Sequence, residues 1–543
     1  MLRPTVHWGP GEHRVAAPKR AATIYISERN PVQNRSHILR FTPLLITAAV
    51  FAQPIRYQHG PINTTHSPWT QLGGDSSHTH TPRVIGSHLA PPDWTSTGDG
   101  SITLSFTPQA GIVADDQRVY AVGQDQGFVR HLSAFDQDTG ELAWATEIPF
   151  AILDSWSTPT LDLQNNTIIA VSGFSIVALD RFTGDQVWLT PVDRPIVNAS
   201  PCITDDLGPS NRLFITDYTF GSATNGSLIC INIDPNTQDN PFDPGEIVWS
   251  TQLPGNCSGN TPAYSDGVVY VSTADNGTGG AGHLLAFDAT STTPPNPIWD
   301  TLNPVSLGFF GAVTYADGFI YASSYNFQGT QRSANTIKLN AVTGALQWSI
   351  PTVRTDAAPI VLPNKRVLIS GGVPTSPSTL FTGSLPAIEL IEDHGNSATL
   401  LWDSFESTHN DLNSSGTWDQ GEPYLSIGGW GHQPIAIING RTTKLLVATM
   451  NAPTGINPFS HASDLHTIDL SKLPTDPDFI ISSQPNTGTT PAIIGSRVFS
   501  TADSGISAIS LNRSAIVIPI TQQIRAIVDR NAPIRTLRHK PGL

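Results

Sequence analysis

Twelve consecutive residues, Asp411–Glu422 (DLNSSGTWDQGE), carry the sharpest chemical pattern in this 543-residue chain. Calcium needs several hard oxygens converging on one point, and a twelve-position loop supplies them at fixed spacing. Asp411 takes position 1, Asn413 position 3 and Ser415 position 5. Gly416 falls at position 6, where such a loop turns sharply. Thr417 at 7 offers its carbonyl, Asp419 at 9 acts directly or through water, and Glu422 at 12 is bidentate. Ser415 is a mild departure from the usual Asp or Asn. No flanking helices are predicted, so the loop is expected to stand alone and to act structurally. The competing reading is a solvated polar turn.

A second set is defined by place rather than by motif. Trp156, Asn198, Asn260, Asp356 and His432 each stand just before an apolar, strand-like run. If those runs are equivalent elements of one ring, the five residues gather near one mouth of its channel as candidates for holding a ligand. Ordinary turn residues are the alternative. Gly277–Gly282 (GTGGAG) fits a dinucleotide-binding pattern, but it lies between two predicted strands with no helix to receive a pyrophosphate. The chain has no His-Glu-x-x-His, Gly-x-Ser-x-Gly, phosphate-loop lysine or Cys-x-x-Cys. No catalytic residue is therefore assigned.

The elements that must position these residues are repeats. Ala134–Trp144 reads AFDQDTGELAW, Ala178–Trp188 reads ALDRFTGDQVW and Leu339–Trp348 reads LNAVTGALQW. Looser copies end at Trp249, Trp299 and Trp402, and periods of this length indicate propeller blades or solenoids. In each phrase an apolar strand meets a Thr-Gly turn, and the next strand carries an inward tryptophan. Upstream lie two more short strands, as at Thr261-Pro262-Ala263 followed by Asp266–Val271. Four strands per unit make one blade. Units at 110–144, 157–188, 200–249, 260–299, 311–348, 357–402, 432–480 and 490–511 give an all-β, eight-bladed β-propeller of four-stranded antiparallel blades. Seven blades is the alternative, if 432–480 is incomplete. The last unit lacks a fourth strand, and Gly100–Phe106 (GSITLSF) is expected to supply it and so remove an exposed edge.

These phrases resemble the pyrroloquinoline quinone (PQQ)-like repeat, with its Ala-x-Asp-x-x-Thr-Gly-x-x-x-Trp core. Trp69–Asp75 (WTQLGGD) is similar to the segment that often opens such proteins. The resemblance covers 69–511 and implies an eight-bladed propeller. The family holds quinoprotein dehydrogenases, BamB-type outer-membrane assembly proteins and exported proteins without assigned activity. Those enzymes commonly grip PQQ with a disulfide between adjacent cysteines, and here Cys202, Cys230 and Cys257 are well separated. No counterpart of their catalytic Asp and calcium-binding Glu/Asn set is found, nor the lipid-anchored cysteine of the assembly proteins. The resemblance thus favours a non-catalytic binding scaffold, with a PQQ-dependent or other redox oxidoreductase as the alternative.

Charge and termini bound the rest. The body between residues 52 and 512 carries 16 Lys/Arg against 41 Asp/Glu, which disfavours nucleic acid and anionic lipid as partners. Residues 1–52 form a basic extension whose Phe41–Ala52 (FTPLLITAAVFA) resembles a signal-peptide core, too short to span a bilayer. A secreted or periplasmic monomer is expected, with a protein or glycan partner and no transmembrane segment after signal removal. The insertion 403–431 holds the calcium-type loop, and 512–543 is a basic tail without a functional reading. A disulfide between Cys202 and Cys230 and a set of buried thiols are equally open.

Overall fold

The computed structural model describes residues 67–107, 110–149, 156–222, 224–274, 280–327, 331–374, 384–416, 418–419, 421–429, 431–439, 442–449, 464–488, 490–502 and 504–512. The signal-like segment at 41–52, the first half of the glycine run at 277–282 and the basic tail after Asn512 lie outside them.

Eight antiparallel sheets form a ring of blades. The third blade shows the pattern, with Cys202–Ile203, Arg212–Thr216, Ser227–Asn232 and Ile247–Gln252 hydrogen-bonded in that order. Its two middle strands are buried at every position. Both faces of each middle strand press on a neighbouring blade, so the strands read as continuous apolar runs rather than as an alternation. One core layer, for example, joins Ile169, Val171 and Ile176 of blade two to Leu213, Ile215 and Ile229 of blade three. In blade two a single run, Thr167–Asp180, fills two places: its first half pairs Thr160–Asp162 and its second half pairs Gln186–Ile196. Blade seven is complete, with Ile435–Asn439, Thr442–Thr449, Asp464–Asp469 and Ile480–Gln484, so the count is eight and not seven.

The closing strand differs from the expectation. His88–Ser96 (HLAPPDWTS), not Gly100–Phe106, pairs with Gly505–Asn512 to complete blade eight. Leu104–Phe106 instead pairs with Arg118–Asp125 in blade one. Pro91 and Pro92 disguise the true strand, because proline cannot donate to a ladder and is confined to edges and bulges. The register shifts on either side of Pro92 are such irregularities. The strand also brings Trp94 to the place that the repeat tryptophans hold in the other blades.

Those tryptophans lock each blade to the next. The Asp136 carboxylate accepts the N–H groups of Asp138 (3.0 Å) and Thr139 (2.9 Å), forming the turn that the repeat phrase encodes. Asp180 and Asn340 do the same. The glycine that follows has positive φ, 73° at Gly140 and 77° at Gly184, and lies flat on the indole of the preceding blade. The indole N–H then donates across: Trp94 to the Gln137 carbonyl (3.0 Å), Trp249 to Ser291 (2.9 Å), Trp299 to Ala341 (2.8 Å).

A strap spanning 69–84 crosses one end of the ring. Trp69 bridges Ala114 of blade one, and the Thr70 carbonyl accepts from Leu161 of blade two. Gln71 accepts from Ile203 of blade three (3.0 Å), Ser76 from Tyr264 of blade four and Ser77 from Tyr315 of blade five. His80 and Pro82 accept from Ala436 and Ile438 of blade seven. The chain then enters blade eight as the closing strand. His78 and His80 are buried in the strap with their Nδ1 atoms on backbone carbonyls.

All three cysteines are free and buried. Cys202 and Cys230 flank Phe214 from opposite sides, each its register partner on an adjacent strand. Two strand spacings, about 10 Å, separate them, beyond the reach of a disulfide. The buried-thiol reading is the correct one.

Candidate functional site

The channel forms a cup of about 390 Å³, counting the solvent that opens onto it. Leu72 of the strap is its floor. In six of the eight blades its wall is built from the residue two places before the innermost strand: Thr158, Ser200, Thr261, Ala312, Gln433 and Thr490 all line it. In five of these six the next residue is proline, which holds its predecessor extended and gives the strand a fixed entry. These side chains also stitch blades together. The Ser200 hydroxyl accepts the Thr158 N–H (2.9 Å), Thr261 accepts from Ser200 (2.9 Å), Gln433 from Ala358 (2.7 Å) and Thr490 from Gln433 (3.3 Å).

Three of the five expected mouth residues, Trp156, Asn198 and Asp356, line the cup together. Asn198 adopts a positive φ of 66° and its side-chain oxygen accepts the Trp156 N–H (3.4 Å). Asn260 and His432 alternate with lining residues and are buried behind the wall. The Asn260 amide donates to Ser272 Oγ (2.9 Å) and to the Phe309 carbonyl (2.7 Å), which is a packing role. Burial holds the His432 imidazole down at about 4, so it is neutral at ordinary pH. Asp356 is half-buried as a residue, yet its Oδ1 is shut off from solvent with no hydrogen-bond partner. Desolvation raises its carboxyl well above the usual range, against the weaker pull of Arg354.

Phe310 stands on the rim and was not singled out from the sequence. It packs edge-on against Phe220 (5.5 Å) and Phe327 (5.1 Å), with Tyr325 at 6.0 Å. Arg354, almost fully buried, lies 5.1 Å from the Tyr325 ring and donates to the Asn326 (3.3 Å) and Phe327 (3.4 Å) carbonyls. The wall residues were missed as well. Their signal was present in the sequence, since the residue before the repeated proline is polar in five of six copies.

The calcium-type loop is a separate site on the 403–431 insertion. A single helical turn, Ser404–Thr408, precedes it where no helix was expected, capped by Asp403. Asp411 accepts the N–H groups of Asn413 (3.3 Å), Ser415 (3.1 Å) and Gly416 (2.8 Å). Gly416 has the positive φ, 76°, that the sharp turn at position 6 requires. Asn413 donates to Asp419 (2.7 Å), and Glu422 accepts from Leu412 (2.8 Å), Asp419 (2.9 Å) and His409 (2.9 Å). Positions 1, 3, 9 and 12 are thus drawn into one hydrogen-bonded turn; Thr417 lies outside the described residues. Among the described residues no three His, Cys, Asp or Glu side chains close on a single point. Phe405, His409, Trp418 and Tyr424 pack beneath the loop, and Trp418 Nε1 donates to the Glu422 carbonyl (3.0 Å).

Comparison with known proteins agrees with this architecture. Residues 95–240 match the family model described as outer membrane protein assembly factor BamB. No curated protein matches the chain. Among solved structures, BamB from Moraxella catarrhalis is 14% identical with a TM-score of 0.49, covering 78% of this chain and 98% of its own. A europium-containing methanol dehydrogenase is 12% identical with a TM-score of 0.53, covering 80% and 89%. A quinohemoprotein alcohol dehydrogenase from Pseudomonas putida HK5 is 10% identical with a TM-score of 0.52, covering 82% and 81%. At these identities the solved structures share the fold alone. With the repeat phrase, its turn geometry and the match of residues 95–240 in agreement, the chain is an eight-bladed β-propeller similar to the PQQ-like repeat family.

Proposed function

We propose that this chain is an exported, non-catalytic propeller scaffold, monomeric, that docks a protein partner and uses calcium to order its 403–431 insertion. The observation that carries the scaffold reading is the make-up of the channel. The cup is lined by hydroxyls, amides, one carboxyl and aromatic rings, with no lysine or arginine among its described lining residues. PQQ is a polycarboxylate, and burying it opposite Asp356 without a cation in contact would leave its charge unpaired. The match of 95–240 to an outer membrane assembly factor supports both a protein partner and export, and the signal-like segment at 41–52 agrees. Calcium is supported by the twelve-position pattern and by the mutual hydrogen bonds of Asp411, Asn413, Asp419 and Glu422. Bound there, the ion would draw these oxygens together and stiffen a long connection.

The test is a titration of the purified full chain with PQQ in the presence of calcium, followed by absorbance and calorimetry. No saturable binding is expected. One-to-one binding, followed by reduction of an electron-accepting dye with an alcohol, would overturn the scaffold reading in favour of the quinoprotein oxidoreductase.

A further inference from the structure

Blade seven carries a line of polar groups that the packing of a blade does not need. His466 of Asp464–Asp469 faces Ser483 of Ile480–Gln484 as its register partner. The same place in other blades is held by pairs such as Val177 and Leu189, Ile229 and Ser250, or Ile337 and Ser349. No other described pair at this place includes a histidine. Ser483 Oγ lies 2.7 Å from His466 Nδ1, and His466 Nε2 lies 2.8 Å from Thr449 Oγ1. Thr449 in turn donates to the Ser426 carbonyl (3.1 Å), on the returning arm of the 403–431 insertion. These contacts place every proton. A carbonyl only accepts, so the one Thr449 hydroxyl hydrogen points at Ser426. Thr449 Oγ1 is then an acceptor toward the ring, and His466 Nε2 carries the ring proton. Nδ1 keeps its lone pair, and the Ser483 O–H donates to it. Burial holds the imidazole below its ordinary 6.5, against the weaker pull of Asp464, so the ring is a neutral base. Ser483 is exposed on the outermost strand, so its oxygen is open to a reagent while its proton rests on a base.

From this arrangement we propose that Ser483 is a nucleophile that accepts an acyl group from an activated ester, with His466 as its general base and Thr449 as the positioning residue that sets the tautomer of the ring. A hydroxyl on a base that is itself oriented by a third group is the arrangement that activates serine. In the step, the Ser483 oxygen bonds to the carbonyl carbon of the ester while its proton passes to His466 Nδ1. The C–O bond to the leaving group then breaks. The leaving oxygen takes the proton from Nδ1 and departs as the alcohol, and an ester remains on Ser483. The imidazole ends as it began, so the step needs no further reactant. The site goes beyond the docking reading and survives its failure, because a serine acylated once turns nothing over.

The experiment treats the full chain with p-nitrophenyl acetate, follows p-nitrophenol release, and locates the acetyl group by mass spectrometry of peptides. A burst stoichiometric with the protein is expected, with the acetyl group on Ser483 ahead of other exposed serines such as Ser101 and Ser222. His466→Gln should slow the labelling of Ser483 by about 100-fold, the low end of what a general base contributes. Thr449→Val should slow it too, and Thr449→Ser should restore it. A purely structural role for Thr449 predicts the reverse order, since valine keeps the shape and serine keeps only the hydroxyl. The rate should hold as pH falls to about 6.5 and drop below it, as His466 gains its second proton. Circular dichroism checks that each variant is folded, and the Thr449 pair keeps the test decisive if His466→Gln is not. Acetylation of Ser483 no faster than that of Ser101 and Ser222, or labelling that neither His466→Gln nor Thr449→Val slows, overturns the proposal.

Discussion

A methyl group placed on Gly184 would sit 2.7 Å from the indole of Trp144 in the preceding blade. The same contact recurs between Gly140 and Trp94, Gly245 and Trp188, and Gly344 and Trp299. The repeat phrase is therefore a joint between blades more than a feature within one. Its glycine provides both a left-handed turn and a flat seat, and its tryptophan fills the seat of the next unit.

Trp188 is the joint to break first. It is buried between blades two and three, against Gly245. Trp188→Ala should cost about 3–5 kcal/mol, the usual penalty for deleting a buried large aromatic. Denaturant unfolding followed by circular dichroism measures it. Gly184→Ala should destabilise through both its positive φ and the indole contact, while Val342→Ala at an exposed turn should do neither.

Stability should fall as pH rises through a buried carboxyl pair. Glu389 and Asp403 are register partners in blade six, both almost fully buried. Burial, then the neighbouring Asp403, pushes Glu389 well above its ordinary 4.5. Val353 donates to it (3.0 Å), while Arg332, itself paired with Glu406 (2.8 Å), is the nearby cation. The folded state thus holds the proton more tightly than the unfolded chain. The contribution is fully present below about pH 4.5 and is lost progressively as pH climbs toward the raised folded value. Glu389→Gln should flatten this slope, leaving what the raised Asp403 contributes, and should stabilise the protein at neutral pH. Melting temperatures of both forms across pH 4–9 test the sign.

Calcium should raise the melting temperature. An ion that binds only the folded loop stabilises by about 2.7 kcal/mol at a hundredfold excess over its dissociation constant. Chelation should reverse the shift, and Glu422→Gln should abolish it. Terbium offers a direct readout, since Trp418 lies against the loop and can sensitise its emission.

Three thiols should remain hidden in the native protein. Burial raises Cys202, Cys230 and Cys257 above their ordinary value, so little thiolate exists to react. Alkylation of the non-reduced protein should label none while it is folded and all three in denaturant, measured by mass spectrometry. Any disulfide recovered between Cys202 and Cys230 would contradict the strand order of blade three.

How far the sequence could be read followed from where its information lies. Turns and tryptophans were legible because Asp136, Thr139, Gly140 and Trp144 act within and between units at constant spacing. The closing strand was not, because His88–Ser96 carries two prolines and is recognised only through its partner more than 400 residues away. The mouth residues were half legible. Trp156, Asn198 and Asp356 reach the cup, whereas Asn260 and His432, one place out of step with lining neighbours, turn into the wall. Strand periodicity puts adjacent residues on opposite faces, so a one-residue offset decides which face a side chain serves. The bonds between blades made by Ser200, Thr261 and Thr490 escaped notice because they are collective, and a lone hydroxyl before proline looks like an ordinary turn.

The strap and the closing strand also impose an order in time. Residues 69–96 leave the ribosome before any complete blade exists, yet their partners reach as far as Asn512. The first stretch of the ring to be synthesised is thus the last that can be seated. Until Gly505–Asn512 emerges, the closing strand His88–Ser96 has no partner and the ring stays open. A chain cut short within its last blade loses more than that blade: it cannot retain the knot of contacts tied by its own beginning.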